Sequence, residues 1–308
     1  VQNIAHWDKF VRRLADAKYR VYVTGSNAKM LSKEVATTLG GRFFIYDAYP
    51  YSIKEYLAAQ HVELKEHWAY DTIQRSEVKR HLNEYFYYGG LPEILSFKNK
   101  RAMLSSLYQK IYLGDICARN NIKNDRVLNI LIKKMAESVK QPLSYNRLKN
   151  VIVSTGSPIS VPTTIDYAGY AADSWLILPM ENEVGKQSEK ATHKKYYIID
   201  NGLRNRLLMN SETSLLENMV AVELCRRFGK ENVFFLNAEK EIDFIVPEEK
   251  LAIQVSYSIK DETTYNREVS PLAKYAKAHE DWKCLLITYD EEGTEEGIPV
   301  VPVWKWLM

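Results

Sequence analysis

The spacing of hydrophobic residues near the start of the chain predicts one helix and two strands. Apolar side chains recur at helical intervals from Trp7 to Leu14, which indicates an amphipathic helix over residues 6–16. The apolar run at residues 19–23 predicts a buried strand that ends in a polar turn at residues 24–27. A helix that ends at Gly40 precedes a second predicted strand at 43–46, and a short helix is expected over 53–58. Residues 1–60 therefore predict part of an open α/β sheet.

Helical periodicity dominates the next segment, residues 61–140. Apolar stripes around Leu82, Leu107 and Leu131 predict three helices whose lysines face solvent. A sharp break is expected after the first helix, because the sequence there reads Gly89-Gly90-Leu91-Pro92. This segment is predicted to be a helical region.

Residues 141–200 have the pattern of a winged helix-turn-helix. Ser144 can cap a first helix that runs to about residue 153, and Ser160 with Pro162 can open a second that ends near 174. Apolar runs at 175–180 and 194–199 would pair as the two strands of the wing, with a polar loop between them.

Such a module can bind nucleic acid through its second helix. Thr163 and Thr164 on that helix would contact base edges, and Arg147 and Lys149 would contact phosphates. Acidic residues on the same helix, such as Asp166, would repel phosphate, so a packing or protein-interaction role is the alternative.

The C-terminal segment, residues 201–308, reads as helix, three strands, helix and strand. The helices are expected over 213–228 and 264–279, and the last strand over 284–289. The three consecutive strands are VFFL, EIDFIV and LAIQVSYS, and Trp304 and Trp306 are expected to pack near the end.

Oxygen-bearing side chains follow one another on these elements in the same order as the divalent-metal ligands of restriction-endonuclease-like, or PD-(D/E)XK, folds. Glu217 or Glu223 would come from the helix, Asp243 from one strand and Gln254 from the next. The two glutamates are six residues apart, about 240° around a helix axis, so only one of them can face the sheet.

Two features of this set argue against catalysis. Gln254 offers a neutral oxygen where a carboxylate is usual, and Ser256 stands where such sites carry a lysine; Lys250 and Lys260 are the nearby alternatives. We therefore predict a degenerate nuclease-like domain with a structural or binding role. A metal-dependent nuclease that uses Asp243, Glu223 and Gln254, with metal on Asp243 and Glu217, is the alternative.

Charge is distributed unevenly along the chain, although its net value is only +3. Residues 97–150 hold 12 Lys and Arg against three Asp and Glu, whereas residues 239–300 hold seven against 15. The basic middle suits a DNA or protein partner, and the acidic end repels phosphates. The three cysteines are too widely spaced for a zinc site, and no apolar run is long enough for a membrane, so we expect a cytoplasmic protein without a membrane partner.

Several motifs together resemble one family. In chain order they are VQNIAHWDKFVRRL, YRVYVTGSNAKMLSKEVATTLGGRF, YPYSIKEYL, YFYYGGLPEIL, YLGDICARNNI, KKYYIIDNGLRN and EIDFIV. This series resembles the bacterial and archaeal P-loop ATPases of the AAA+/STAND type that carry a C-terminal domain of unknown function. The resemblance implies that residues 1–60 are the rear of the ATPase core.

The resemblance also implies roles for individual residues. Ser26 and Asn27 would lie at the strand end that senses nucleotide, with a helix cap as the alternative role. Arg42 would be a finger acting in trans within a homo-oligomer, or a surface ion-pair residue. ATP and Mg²⁺ would bind the full-length parent, which is expected to be an ATPase. The 308 residues contain no GxxxxGK[ST] loop, so we expect this chain to be a truncated, inactive portion that needs no cofactor and does not bind ATP alone.

Overall fold

The structure, a computed structural model, describes residues 6–25, 43–208, 212–238 and 241–308. It has a mixed α/β architecture with two sheets. Within the described ranges, no helix is long and apolar enough to cross a membrane.

The N-terminal segment contains the predicted helix but not the predicted strands. Helix α1 spans Trp7–Asp16, in agreement with the periodicity. Residues 19–23 and 43–46 are not strands, and side chains such as Tyr22 and Phe44 are 85% and 89% exposed. A strand needs a neighbouring backbone for its hydrogen bonds, and no described strand of this chain supplies one. The predicted helix before Gly40, together with Ser26, Asn27 and Arg42, lies outside the described residues.

The helical region follows the predicted stripes. Helix α2 spans Ile53–Ala59, α3 Thr72–Tyr88, α4 Pro92–Leu95, α5 Lys100–Gln109 and α6 Asp125–Glu137. Helix α5 continues in π-helical turns through Ala118, and 3-10 turns cover Trp68–Tyr70 and Ser138–Lys140. Side-chain oxygens cap these helices, for example Asp71 on α3 and Asn124 on α6, which satisfies backbone N–H groups that would otherwise lack acceptors.

Residues 143–198 form three helices and a three-stranded antiparallel sheet. The elements are β1 Leu143–Ser144, α7 Tyr145–Ser154, α8 Val161–Asp173, β2 Ile177–Glu181, α9 Gln187–Thr192 and β3 His193–Ile198, with strand order β1-β3-β2. Ser144 and Ser160 cap α7 and α8 as predicted. The loop between β2 and β3 contains α9, which the sequence pattern did not indicate.

The C-terminal segment forms a six-stranded sheet with a helix on each face. Its elements are α10 Asn201–Leu207, α11 Glu212–Phe228, β4 Phe234–Asn237, β5 Glu241–Val246, β6 Leu251–Ser256, α12 Glu262–Ala278, β7 Lys283–Thr288, β8 Gly293–Glu295, β9 Ile298–Pro302 and α13 Val303–Trp306. The strand order is β4-β5-β6-β7-β9-β8, in which β6, β7 and β9 are parallel neighbours. Phe244 and Ile253 pack with the α11 core, whereas Ile245 and Ala252 pack against α12.

The two sheets meet at the edge strand β4. The residues that follow β2 continue alongside β4: Asn182 bridges to Phe235, and Glu183 N–H donates to the Phe235 carbonyl at 2.8 Å. Asn237 N–H donates to the Asn182 side chain at 2.9 Å. This pairing covers an edge that would otherwise be open to other strands.

Candidate functional site

The predicted acidic site lies where α11, β5 and β6 approach one another. Strand register places Asp243 opposite Gln254, since Phe244 pairs with Ile253. Asp243 N–H donates to Gln254 Oε1 at 3.2 Å, and Val255 N–H donates to Asp243 Oδ2 at 2.9 Å. The sequence therefore predicted correctly that these two side chains lie together.

A lysine from the other sheet fills the space between the acids. Lys195 Nζ, on β3, lies 3.2 Å from Glu217 Oε1, 3.0 Å from Glu241 Oε1 and 3.5 Å from Asp243 Oδ1. Lys195 is 0% exposed, and the hydroxyl of Tyr197, two residues along the same strand, donates to Glu217 Oε1 at 3.0 Å. We call Lys195, Glu217, Glu241 and Asp243 the lysine–acid cluster.

Burial and charge act against each other in this cluster. Burial lowers the pKa of Lys195, but the three carboxylates outweigh that effect and hold it above its ordinary value. Burial and the neighbouring Glu217 raise the pKa of Asp243 well above the usual range, and burial likewise raises the pKa of Glu217 although Lys195 opposes the shift. One ammonium does not neutralise three carboxylates, so the cluster favours holding an additional proton.

Both the oxygen and the nitrogen of the Gln254 carboxamide form hydrogen bonds. Its Oε1 accepts from Asp243 N–H, and its Nε2 donates to Glu268 Oε2 on α12 at 2.6 Å. Glu268 in turn accepts from Arg267 Nε at 2.7 Å. The carboxamide oxygen therefore faces a backbone N–H group rather than an open position beside Asp243.

The structure corrects the choice of helix acid. Glu217 faces Asp243, as the six-residue spacing allowed, while Glu223 pairs with Arg226 and with Arg227 Nε at 2.7 Å. Glu223 therefore does not join the predicted catalytic set. Neither alternative lysine joins it: Lys250 pairs with Asp281 at 2.6 Å, and Lys260 is exposed.

The residues present do not suit a divalent metal. Within the described ranges, no group of three or more His, Cys, Asp or Glu side chains is arranged to hold one. The carboxylates that could do so are directed at Lys195 Nζ, and a buried ammonium repels a metal cation. Reasoning from sequence missed Lys195 and Glu241. The alternation of KKYYII could have indicated Lys195, because it places this lysine on the same strand face as Tyr197.

The predicted nucleic-acid contacts are not all available at the surface. Thr164 is fully buried and its hydroxyl donates to the Ser160 carbonyl at 2.8 Å, so it cannot reach a base. Thr163 lies in the same cap, with its hydroxyl 2.8 Å from Ser160 Oγ. Arg147 is exposed and Lys149 half-buried, but residues two apart on a helix point in different directions.

A second buried site explains two of the sequence motifs. Asp200, just before α10, accepts hydrogen bonds from the N–H groups of Gly90 at 2.7 Å, Gly202 at 2.8 Å and Leu203 at 3.1 Å. Burial raises the pKa of Asp200 to about 6, although these hydrogen bonds oppose the shift. A Cβ on Gly89, whose φ is +78°, would lie 2.1 Å from the Asp200 carboxylate. The GGLP and DNG motifs therefore form one packed junction.

The segment that precedes α2 is held against this junction and against α11 by hydrogen bonds and an ion pair. We call residues 47–52 the strap. Asp47 pairs with Lys230 at 3.1 Å, Tyr49 OH donates to the Cys225 carbonyl at 3.2 Å, and Arg226 Nη2 donates to the Pro50 carbonyl at 2.7 Å. At its far end, Tyr51 N–H donates to the Gly90 carbonyl at 2.8 Å.

Comparison with known proteins gives two family matches. An AAA domain matches residues 1–57, and a domain of unknown function, DUF8612, matches residues 79–214. An uncharacterised protein of Methanocaldococcus jannaschii is 33% identical over 99% of this chain and 73% of its own length. An uncharacterised protein of Haemophilus influenzae is 31% identical over the whole chain and 76% of its own length.

The comparison with solved structures gives no match. The two sequence matches nevertheless cover 99% and 100% of this chain. The chain belongs to the family that includes these two uncharacterised proteins of Methanocaldococcus jannaschii and Haemophilus influenzae.

Proposed function

We propose that this chain is the portion of an AAA-like ATP-binding protein that receives the movement of the nucleotide-binding part, and that its C-terminal domain is a non-catalytic, nuclease-like module. The AAA match to residues 1–57 supports the first statement. The exposed aromatic residues at 19–23 and 43–46 also support it, because they suit strands whose neighbours belong to the rest of an AAA sheet.

The strap is the observation that carries the proposal. It begins directly after residues 43–46 and is fastened at one end to α11 and at the other to the Gly90–Asp200 junction. A displacement of the AAA part would therefore act both on the helix that supplies Glu217 and on the Gly89–Gly90 loop between α3 and α4. These ion-pair and hydrogen-bond contacts hold the strap in a fixed position against α11 and the Gly90 loop.

Titration with a fluorescent ATP analogue tests the nucleotide part of the proposal. The 308-residue chain contains no P-loop sequence, so we expect no saturable binding at micromolar concentrations. Micromolar binding that unlabelled ATP competes away would contradict the proposal.

A metal-dependent nuclease is the second candidate. Its support is the approach of Glu217, Asp243 and a lysine amine within one cluster, since such nucleases use carboxylates and a lysine at the metal. Against it, Lys195 is 0% exposed and Asp243 only 6% exposed, so a phosphodiester has no access to them.

Incubation of the chain with plasmid DNA and Mg²⁺ or Mn²⁺ distinguishes the two candidates. We expect no cleavage. Cleavage that disappears in Asp243→Asn but persists in Glu223→Gln would establish the nuclease, because Glu223 pairs with arginines outside the cluster.

A further inference from the structure

The basic middle of the chain keeps several cations that its own acids do not neutralise. Of the three acidic residues within 97–150, Asp115 pairs with Arg119 and Glu137 with Lys134. Arg126, Lys133 and Arg147 form no ion pair with the described part of the chain, and all three are exposed. Their charge is therefore available to a partner.

Two of these cations border one groove on α6. Arg126, Asn129 and Lys133 recur at intervals of three and four residues, which places them on one helix face. Together with Tyr112 and Thr155 they line a groove of about 470 Å³. Arg126 and Lys133 are seven residues apart, roughly 10 Å along the axis. Asp125, which also lines the groove, lies in the first turn of α6, where the helix dipole offsets its charge.

Arg147 extends the same charged face onto α7. Thr155 follows the last residue of α7, and Arg147 and Val151 precede it by eight and four residues, so the three share a side of that helix. Thr155 lines the groove beside residues of α6, and Arg147 lies eight residues before it, roughly 12 Å along the axis of α7. Lys149 points away from this side.

We propose that this face of α6 and α7, with Arg126 and Lys133 lining the groove and Arg147 beyond it on α7, binds the sugar–phosphate backbone of a nucleic acid. The predicted recognition helix α8 is a poorer candidate. Its charged residues are Asp166 and Asp173, and Thr164 on it is buried. The nucleic acid would therefore contact α6 and α7, and not α8, the second helix of the predicted helix-turn-helix.

The groove itself favours a nucleic acid over an acidic protein surface. Asn129 Oδ1 is a buried acceptor that receives no hydrogen bond from the described residues. A partner that satisfies both this acceptor and the surrounding cations must carry donors next to anionic oxygens. Base amino groups near phosphates meet that requirement in DNA and RNA, and 2′-hydroxyls also meet it in RNA, whereas ionised aspartate and glutamate side chains offer acceptors only. Guanidinium groups and phosphates also form strong charge-assisted hydrogen bonds.

Fluorescence anisotropy with a labelled 20-base-pair DNA duplex and a labelled single strand of the same length tests the proposal on the full chain between 50 and 200 mM NaCl. We expect affinity to fall as salt rises. The variant Arg126→Ala/Lys133→Ala/Arg147→Ala should bind at least tenfold more weakly at 100 mM NaCl. The magnitude of its salt slope on duplex should be smaller by about 2.7, since each lost phosphate contact contributes roughly 0.9.

A matched control separates local contacts from overall charge. Lys260→Ala/Lys274→Ala/Lys277→Ala removes three exposed cations from the acidic C-terminal domain and gives the same net charge. We expect it to bind within twofold of the natural chain. Asn129→Asp, which adds a negative charge inside the groove, should weaken binding at least tenfold.

Three results would overturn the proposal. They are an absence of binding at 50 mM NaCl, equal losses in the two triple variants, and undiminished binding by Asn129→Asp. Competition by polyglutamate as effective as that by unlabelled DNA at equal charge would instead assign the face to an acidic protein. Circular dichroism of each variant checks that it is folded. These outcomes do not depend on whether the chain binds ATP.

Discussion

Replacing Lys195 by methionine removes the cation of the lysine–acid cluster while keeping a side chain of similar length. Glu217 and Asp243 are 5% and 6% exposed, so they would remain in a low-dielectric site without a counter-charge. Breaking a buried ion pair by removing one partner typically costs about 3–5 kcal/mol. We expect the free energy of unfolding to fall by roughly that amount near pH 8.

The sign of the pH dependence follows from the direction of the carboxyl pKa values. Burial already raises the pKa of Glu217 and Asp243, and loss of Lys195 removes an interaction that lowers both. A carboxyl whose pKa is higher in the folded state loses stability as pH rises through that pKa. The deficit of Lys195→Met should therefore be small at pH 5 and largest at pH 8.

Urea unfolding followed by tryptophan fluorescence at pH 5, 6.5 and 8 measures this deficit. The double variant Lys195→Met/Asp243→Asn is the control, because it removes one of the stranded charges and should recover part of the loss at pH 8. A deficit below 1 kcal/mol at every pH would show that the Lys195 ammonium does not stabilise the buried carboxylates of Glu217 and Asp243.

Two further predictions concern the junction. Burial holds the pKa of Asp200 near 6 against an ordinary 3.8. Stability should therefore fall by roughly 2–2.5 kcal/mol between pH 4 and pH 7 through this group. Asp200→Asn should abolish that part of the pH dependence in urea titrations, and parallel curves for the two proteins would refute the assignment. Gly202→Ala places a Cβ 2.1 Å from the Tyr88 carbonyl and should cost about 1–3 kcal/mol, whereas Gly169→Ala, with no atom within 4 Å of the added Cβ, should leave the melting temperature unchanged or slightly higher; equal melting temperatures would refute the packing argument.

Local periodicity was sufficient to predict most of the helices. The stripes around Leu82 and Leu131 and the caps at Ser144 and Ser160 correspond to α3, α6, α7 and α8. Helices satisfy their own backbone, so nearby residues determine them. Strands do not, and the runs at 19–23 and 43–46 illustrate the difference, since their apolar pattern is present while described partner strands are not.

The candidate site was predictable only in part for a related reason. Asp243 and Gln254 are neighbours because two adjacent strands form a hairpin, a short-range relationship that the sequence displays. Lys195 reaches them from a different sheet, 48 residues before Asp243, and no local rule connects those positions. Which of Glu217 and Glu223 faces the sheet depends on how α11 is rotated over the sheet. The tertiary packing of α11 determines that rotation, and its hydrophobic periodicity alone does not.

The lysine–acid cluster poses a thermodynamic question, because buried ion pairs rarely stabilise a fold more than apolar residues of the same volume. The geometry of the cluster indicates that it specifies how β3 docks against α11 and β5. In the observed register of β3, Lys195 Nζ lies within 3.5 Å of all three carboxylates, and a shift of β3 by one residue would turn Lys195 to the opposite face. Any other register would leave a charge buried and unpaired.

A charge-free replacement of the cluster tests this argument. Lys195→Met, Glu217→Met, Asp243→Asn and Tyr197→Phe together remove the buried charges and the hydroxyl that bonds Glu217, and the asparagine keeps an oxygen for the Val255 N–H. Glu241, whose side chain is 42% exposed, can turn to water. We expect stability within about 1 kcal/mol of the natural chain or above it. Amide hydrogen exchange in β3 should nevertheless become faster, because the register is no longer specified. If the quadruple variant instead loses 3 kcal/mol or more, the cluster contributes stability directly; if exchange in β3 is unchanged, apolar packing alone sets how the two sheets meet.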